Sequence, residues 1–354
     1  MAEALLFLRI IKTIIGLLGV FNNGLVIVVI AKVEFMHSKT NAFIFHQAVI
    51  DFFGSLLLFL QSNIPNPAPV PETTAGQLLC RVWIGDALLW LLFVTSTFNL
   101  LGLTVERYVA IVFPLRYYSF FSRRPTTAIM ISSWVIGLIL KSYSFIIYNI
   151  VDGVCQFQRV SVSHVMGPLL ICLQYFIPAG MMLFFYIHIT ISLKRCALRV
   201  APPPAFLTKP GPSAASTSTG TTGMKKTCPS DSINLCTSGA SNTFEDKAVR
   251  PINYAVNDQQ DSLLRARRNT FKTLVIVFVV FLVCWSPSQI TFFMFNLGWL
   301  KLDFSGPLNV FSTFMVAANC CVNPIIYGIK YKQFQRGVRY LFCGRRGHEE
   351  LPRP

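Results

Sequence analysis

Seven long apolar runs, separated by shorter polar or basic stretches, set the pattern of this chain. They lie near Thr13–Ala31, Phe43–Leu60, Trp83–Val105, Ala128–Ile150, Met166–Ile191, Leu274–Leu297 and Leu308–Ile329. A helix that crosses a bilayer needs about 20 mostly apolar residues, and each run falls in or near that range. The pattern therefore predicts an all-α membrane protein, a seven-transmembrane helix bundle. After the seventh run, Tyr331–Phe342 interleaves basic residues with Phe334, Val338, Tyr340, Leu341 and Phe342 at helical spacing. That reads as a short amphipathic helix lying on the inner membrane face. Cys343 at its end is a candidate for S-palmitoylation, a second anchor.

Composition agrees: 53% of the 354 residues are hydrophobic and 13% charged. Charge placement adds the orientation. Lys32 and Lys39 follow span one, and Arg116, Arg123 and Arg124 follow span three. Lys194, Arg195 and Arg199 follow span five; Arg265, Arg267, Arg268 and Lys272 precede span six; Lys330, Lys332, Arg336 and Arg339 follow span seven. Basic loops stay inside, so the N-terminus is expected outside and the protein at the plasma membrane. Arg9 and Lys12 point the other way and are outnumbered. The net charge of +16 is then a topology signal and an attraction to anionic membrane lipids. No nucleic acid is expected, because no soluble basic domain exists to carry it.

The chain divides accordingly. Residues 1–12 form a short extracellular N-terminus with no cleavable leader pattern, and 13–200 carry spans one to five. Residues 201–261 are rich in Pro, Ser, Thr, Gly and Asn and read as a disordered cytoplasmic loop. Residues 262–330 carry spans six and seven, and 331–354 the amphipathic helix and tail.

Of the ten cysteines, only Cys80 and Cys155 fall on the outer, oxidising side. A disulfide between them would tie the loop after span four over the bundle mouth. Inside the membrane, polar side chains are expensive and mark machinery. By counting turns, Asp51 falls near the depth of Asn23, Ser96, Asn319 and Asn323. These oxygen and amide groups suit a small hydrated cation, with Asp51 and Ser96 as ligands of a sodium ion. The alternative is a hydrogen-bonded polar knot around a protonated Asp51. Glu106-Arg107-Tyr108 ends span three, where the acid can hold Arg107 back from other partners. Pro287 kinks span six beside Trp285, and Pro324 interrupts span seven between Asn323 and Tyr327.

Together these residues resemble the rhodopsin-like (class A) family of G-protein-coupled receptors. The resemblance runs through Asn23-Gly24-Leu25-Val26, Ala48 with Asp51, Glu106-Arg107-Tyr108, Trp134, Pro178 and Tyr186. It continues with Phe281 and Cys284-Trp285-Ser286-Pro287, then Asn319 and Asn323-Pro324-x-x-Tyr327, and covers the chain outside 201–261. It implies a receptor, not an enzyme, whose ligand enters from outside between spans three, five, six and seven. Trp285 and Phe281 then shift and span six swings outward. Tyr186 and Tyr327 turn towards Arg107, and a cleft opens for a heterotrimeric G protein, with arrestin and receptor kinases as further partners. No cofactor is implied beyond the sodium ion as an allosteric modulator.

Four departures from the family pattern stand out. His46-Gln47 replace the usual Asn-Leu and should alter packing against span four. Thr97 replaces a bulky aliphatic. Arg267 stands where some members place an acid facing Arg107, so an inter-span lock is missing and easy activation is expected. The spacing from Cys80 to Arg107 is about two residues longer than usual in the family, which calls for a bulge or extra turn at the top of span three.

Span seven has no lysine between Lys301 and Lys330, which excludes a covalent retinal pigment. The expected ligand pocket comprises Asp86, Leu89, Trp90, Phe93, Trp285, Ser288, Gln289 and Phe292, with Phe293 beside them. Its broad, mixed character is similar to that of peptide receptors and gives an extracellular peptide as the expected ligand. The alternative is a biogenic amine or other small molecule using Asp86. A transporter or channel is the remote alternative, disfavoured because no internal repeat is found.

Overall fold

The computed structural model describes residues 2–158, 160–200, 249–301 and 306–343. Most of the loop expected to be disordered (201–248), Arg159 and the tail from residue 344 lie outside the described residues, as do the side chains of Arg265, Arg267 and Arg268. Two compact units are present: 1–195 together with 265–354, and 196–264. Of the second, the described parts are helical, Cys196–Val200 and Val249–Leu264.

The first unit is the bundle. Among the described residues seven helices are long and apolar enough to cross a membrane: Leu6–Lys32, Lys39–Asn63, Ala87–Val112, Arg123–Ile147, Ser163–Arg195, Asn269–Asn296 and Pro307–Lys330. They are called spans one to seven below. Span one lies along span two, span two against three, three against four, and span seven returns to one and two. The bundle is apolar outside and mixed inside. Leu17, Phe21, Leu138, Ile139, Phe184, Val283 and Ile329 are exposed, whereas Asn23, Asp51, Ser96, Asn319 and Asn323 are buried. Lipid offers no hydrogen bonds, so polar groups turn inward to find partners. The amphipathic helix is present as Lys332–Cys343. Its Phe334 is buried, and Gln333 donates to the Phe35 carbonyl (3.0 Å) in the loop between spans one and two.

Several boundaries differ from the expectation. The first helix begins at Ala2 rather than Thr13. Residues 249–261, placed by composition in the disordered loop, are helical, since the sixth helix runs Val249–Asn296. Pro251 sits in the first turn, where its missing N–H costs nothing, and no Gly or Pro follows until Pro287. Span four was expected to continue to Ile150, but Tyr148–Val151 forms strand β1, paired antiparallel with β2, Val154–Phe157. The connecting Asp152-Gly153 has φ of 51° and 72°, the left-handed pair that a two-residue hairpin requires.

The top of span three absorbs the long spacing. A short helix, Thr74–Leu78, passes into a π turn, Leu79–Ile84, and the chain then breaks at Gly85-Asp86 before the main helix starts at Ala87. Asp86 adopts φ 58°, left-handed. A Cβ at Gly85 would lie 2.8 Å from the Tyr148 ring, so glycine allows β1 to close on this turn. A second π turn, Cys172–Phe176, precedes Pro178 in span five, where the proline cannot supply the next helical hydrogen bond.

Candidate functional site

Three polar assemblies lie one below another in the bundle. The outermost is a cavity of about 490 Å³ between the hairpin and all seven spans, with Leu8, Arg9 and Lys12 supplied by span one. Cys80 and Cys155 are joined by a disulfide, with Cα atoms 5.4 Å apart, which fastens β2 to the top of span three. Arg81 extends the fastening by donating to Asn149 Oδ1 (2.9 Å) and to the Tyr148 carbonyl (3.2 Å).

Of the expected pocket residues, Asp86, Leu89, Trp90, Phe93, Ser288, Gln289 and Phe292 do line this cavity. Trp285 does not. It is buried beneath the floor, with its ring 6.2 Å from Trp90 and 5.8 Å from Phe93. The kinked helix turns it inward to Phe281, 5.7 Å away. Phe293 also misses the cavity and packs on Phe176 of span five at 5.5 Å. Burial pushes the Asp86 carboxyl up to about 6, while Lys12 and a hydrogen bond with Gln61 hold it down. The cavity contains a cation that turn counting missed: Lys141, at the end of span four. Its Nζ donates to Gln174 Oε1 (2.7 Å) and lies 5.2 Å from the Trp90 ring centroid. No carboxylate is within ion-pair reach of it among the described residues.

The middle assembly surrounds Asp51. Oδ1 accepts from Ser96 Oγ (3.3 Å), Oδ2 from Asn323 Nδ2 (3.0 Å), and both oxygens from Gln47 Nε2 (3.1 Å each). Turn counting thus brought Asp51, Ser96 and Asn323 together correctly. Asn23 lies nearby but donates to the carbonyls of Gly19 (2.9 Å) and Cys320 (2.8 Å), tying span one to span seven. Asn319 is buried too, and its Oδ1, the Asn323 Oδ1, the Tyr327 hydroxyl and the Trp285 indole nitrogen have no protein partner. The residues were expected to hold a sodium ion, and their fit can be tested on the donor set. Gln47 also donates to Ser96 Oγ, so an N–H group rather than an oxygen ligand faces both proposed ligands. On that side of the carboxylate the lining presents a donor where a cation would need an oxygen.

The innermost assembly is centred on Glu106, which is fully buried. Arg107 grips it with Nε (2.5 Å) and with Nη2 in an ion pair. Tyr117, from the loop between spans three and four, donates its hydroxyl at 2.5 Å, and Thr40 in the first turn of span two lies 3.3 Å from each carboxylate oxygen. Burial and the adjacent Glu106 push the Tyr117 hydroxyl far above its ordinary value, so it remains a donor. Tyr108 packs its ring on Phe185, tilted at 46° with centroids 4.8 Å apart. Tyr186 is not at Arg107. Its hydroxyl lies 3.2 Å from Thr104 Oγ1, and its ring lies 5.1 Å from Phe278 of span six. Tyr327 is buried and Pro178, Phe281 and Pro324 pack in the core. Pro287 stands in span six one turn above Cys284. Cys343 is exposed at the end of its helix with a free thiol.

The model of the "7 transmembrane receptor (rhodopsin family)" matches residues 22–327. Relatives include a cholecystokinin receptor of Xenopus laevis, 26% identical over 94% of this chain and 76% of that protein. The somatostatin receptor type 5 of Rattus norvegicus is also 26% identical, over 93% and 76%. Trace amine-associated receptor 4 of the same species is 25% identical, over 91% and 81%.

Proposed function

The chain belongs to the rhodopsin family of seven-transmembrane receptors, and on that premise we propose that it binds an extracellular peptide in the outer cavity and activates heterotrimeric G proteins. The observation that carries this reading is the aromatic column that links the cavity to the core. Trp90 and Phe93 form the cavity floor, Trp285 lies under both, and Phe281 lies under Trp285 with Tyr175 5.9 Å beside it. A ligand pressing on the floor moves the bend of span six at Pro287. Tyr186, resting on Phe278 of that span, is then released towards Arg107. An agonist works by binding the open arrangement better than the closed one, and the shift can be no larger than that difference.

A peptide suits the cavity for two reasons. The cavity is broad and open to the outside, and relatives include receptors named for the peptides cholecystokinin and somatostatin. Lys141, which has no anionic partner among the described residues, favours a ligand that brings a carboxylate. The second reading, an amine on Asp86, has the trace amine relative in its favour. Against it, the Lys12 charge already acts on Asp86. The cell surface is the expected location, with the N-terminus outside, and arrestin and receptor kinases are expected at the inner face. The test is nucleotide exchange on purified G proteins, driven by a peptide library. Arg107→Ala should abolish exchange while peptide binding survives; exchange at the unmodified rate would refute the role given to Arg107.

A further inference from the structure

His46 and Gln47 depart from the family pattern, and in the structure both are part of one hydrogen-bonded line. It starts on span four, where the Trp134 indole donates to His46 Nε2 at 2.9 Å. His46 Nδ1 lies 2.8 Å from Asn99 Oδ1 on span three. Asn99 Nδ2 donates to Gln47 Oε1 (2.8 Å) and to the Phe43 carbonyl (3.1 Å). Gln47 Nε2 then donates to both Asp51 oxygens and to Ser96.

We propose that the Gln47 carboxamide is a built-in replacement for the sodium ion at Asp51, so that this receptor is insensitive to sodium. The position matters first. The Gln47 nitrogen stands within hydrogen-bond reach of both Asp51 oxygens and of Ser96 Oγ, a place that an ion bridging the two would take. An amide nitrogen offers N–H donors and no lone pair for a metal. A hard cation needs oxygen ligands in that place.

Polarity matters second. The amide could make room for an ion only by turning its oxygen inward, and the line prevents this. An indole N–H can only donate. His46 Nε2 must therefore accept, and Nδ1 carries the hydrogen that Asn99 Oδ1 receives. That fixes the Asn99 amide nitrogen towards Gln47, and Gln47 must present its oxygen to Asn99 and its nitrogen to Asp51. A flipped Gln47 would set oxygen against the carboxylate and nitrogen against nitrogen. The direction of every donor is thus imposed from span four, two spans from the carboxylate.

Satisfaction matters third. Gln47, Ser96 and Asn323 supply donors to both carboxylate oxygens, so Asp51 has the partners that a buried carboxylate requires. Spans two, three and seven are joined here by covalently attached groups that cannot leave, unlike an ion.

The test uses the full-length receptor in detergent, with no ligand and no G protein, so it stands or falls independently of the peptide reading. Thermal unfolding is followed with a thiol-reactive dye, which reports exposure of the buried Cys284, Cys320 and Cys321. Salt is sodium chloride or choline chloride at about 0.15 M, which equalises screening. The unmodified receptor should melt at the same temperature in both. A saturable, sodium-specific rise would overturn the proposal. Gln47→Leu removes the amide at similar volume and restores the residue usual in the family. It should acquire a sodium-specific rise of several degrees. If this variant folds and remains blind to sodium, the amide is not what excludes the ion, and the proposal is wrong. If it does not fold, the sodium titration of the unmodified chain decides alone.

Discussion

Tyr117→Phe should raise agonist-independent signalling about tenfold. Glu106 is fully buried and is contacted by Arg107, Tyr117 and Thr40. In the proposed open state Arg107 leaves Glu106 for Tyr186 and Tyr327. Contacts that hold the acid and its arginine in place therefore favour the closed state. A hydrogen bond to a charged group contributes about 1.5–3 kcal/mol. Tyr117 is only half-buried, so the lower end applies. A loss of about 1.5 kcal/mol from the closed state alone changes the closed-to-open ratio about tenfold. While the open state is scarce, basal exchange follows its population. The assay is GTP-analogue uptake by purified G protein with receptor reconstituted at matched amounts, without ligand. Thr40→Val, which removes the longer 3.3 Å contacts, should give a smaller rise. If Tyr117→Phe folds normally and leaves basal exchange unchanged, the Tyr117 contact does not distinguish the two states and the lock argument fails.

Three further outcomes are expected. With the Asp86 carboxyl raised to about 6, the group is mainly neutral at pH 5 and mainly anionic at pH 7. Any amine ligand relying on it should bind about tenfold more tightly at pH 7, and Asp86→Asn should flatten that profile in a competition assay. Lys141→Gln should weaken a carboxylate-bearing peptide about tenfold or more and leave its C-terminal amide unaffected; equal losses for both would show that Lys141 only packs. Cys343→Ala should abolish incorporation of a clickable palmitate in cells, and label persisting in that variant would place the lipid on another cysteine.

Much of the site could be read before folding was considered. Asp51, Ser96 and Asn323 meet because helices in a membrane are straight enough for turn counting to give depth, and because lipid leaves polar groups only one place to go. The extra residues before Arg107 announced a break at the top of span three, which appears as the π turn Leu79–Ile84 and left-handed Asp86. Other features escaped for physical reasons. Tyr148–Val151 is apolar and prolongs span four by hydropathy, yet pairing with Val154–Phe157 makes it a strand. Trp285 seemed a cavity residue because depth is readable but rotation about a kinked helix is not. Lys141 and Tyr117 carry no local signal of their contacts, which form only when spans and loops meet.

The linear chain by itself determined the crossings and which expensive side chains the interior must accommodate, and gave an expectation for their direction. Run length against bilayer thickness and the bias of basic loops are properties of composition and order alone. Only the assembled bundle decided which atoms those side chains give one another. In the proposal made above, sodium sensitivity turns on which end of the Gln47 amide faces Asp51. That orientation is set by Trp134, 87 positions further along the chain, through His46 and Asn99. Hydrogen-bond polarity passes between neighbours in space, and no local pattern of residues records it.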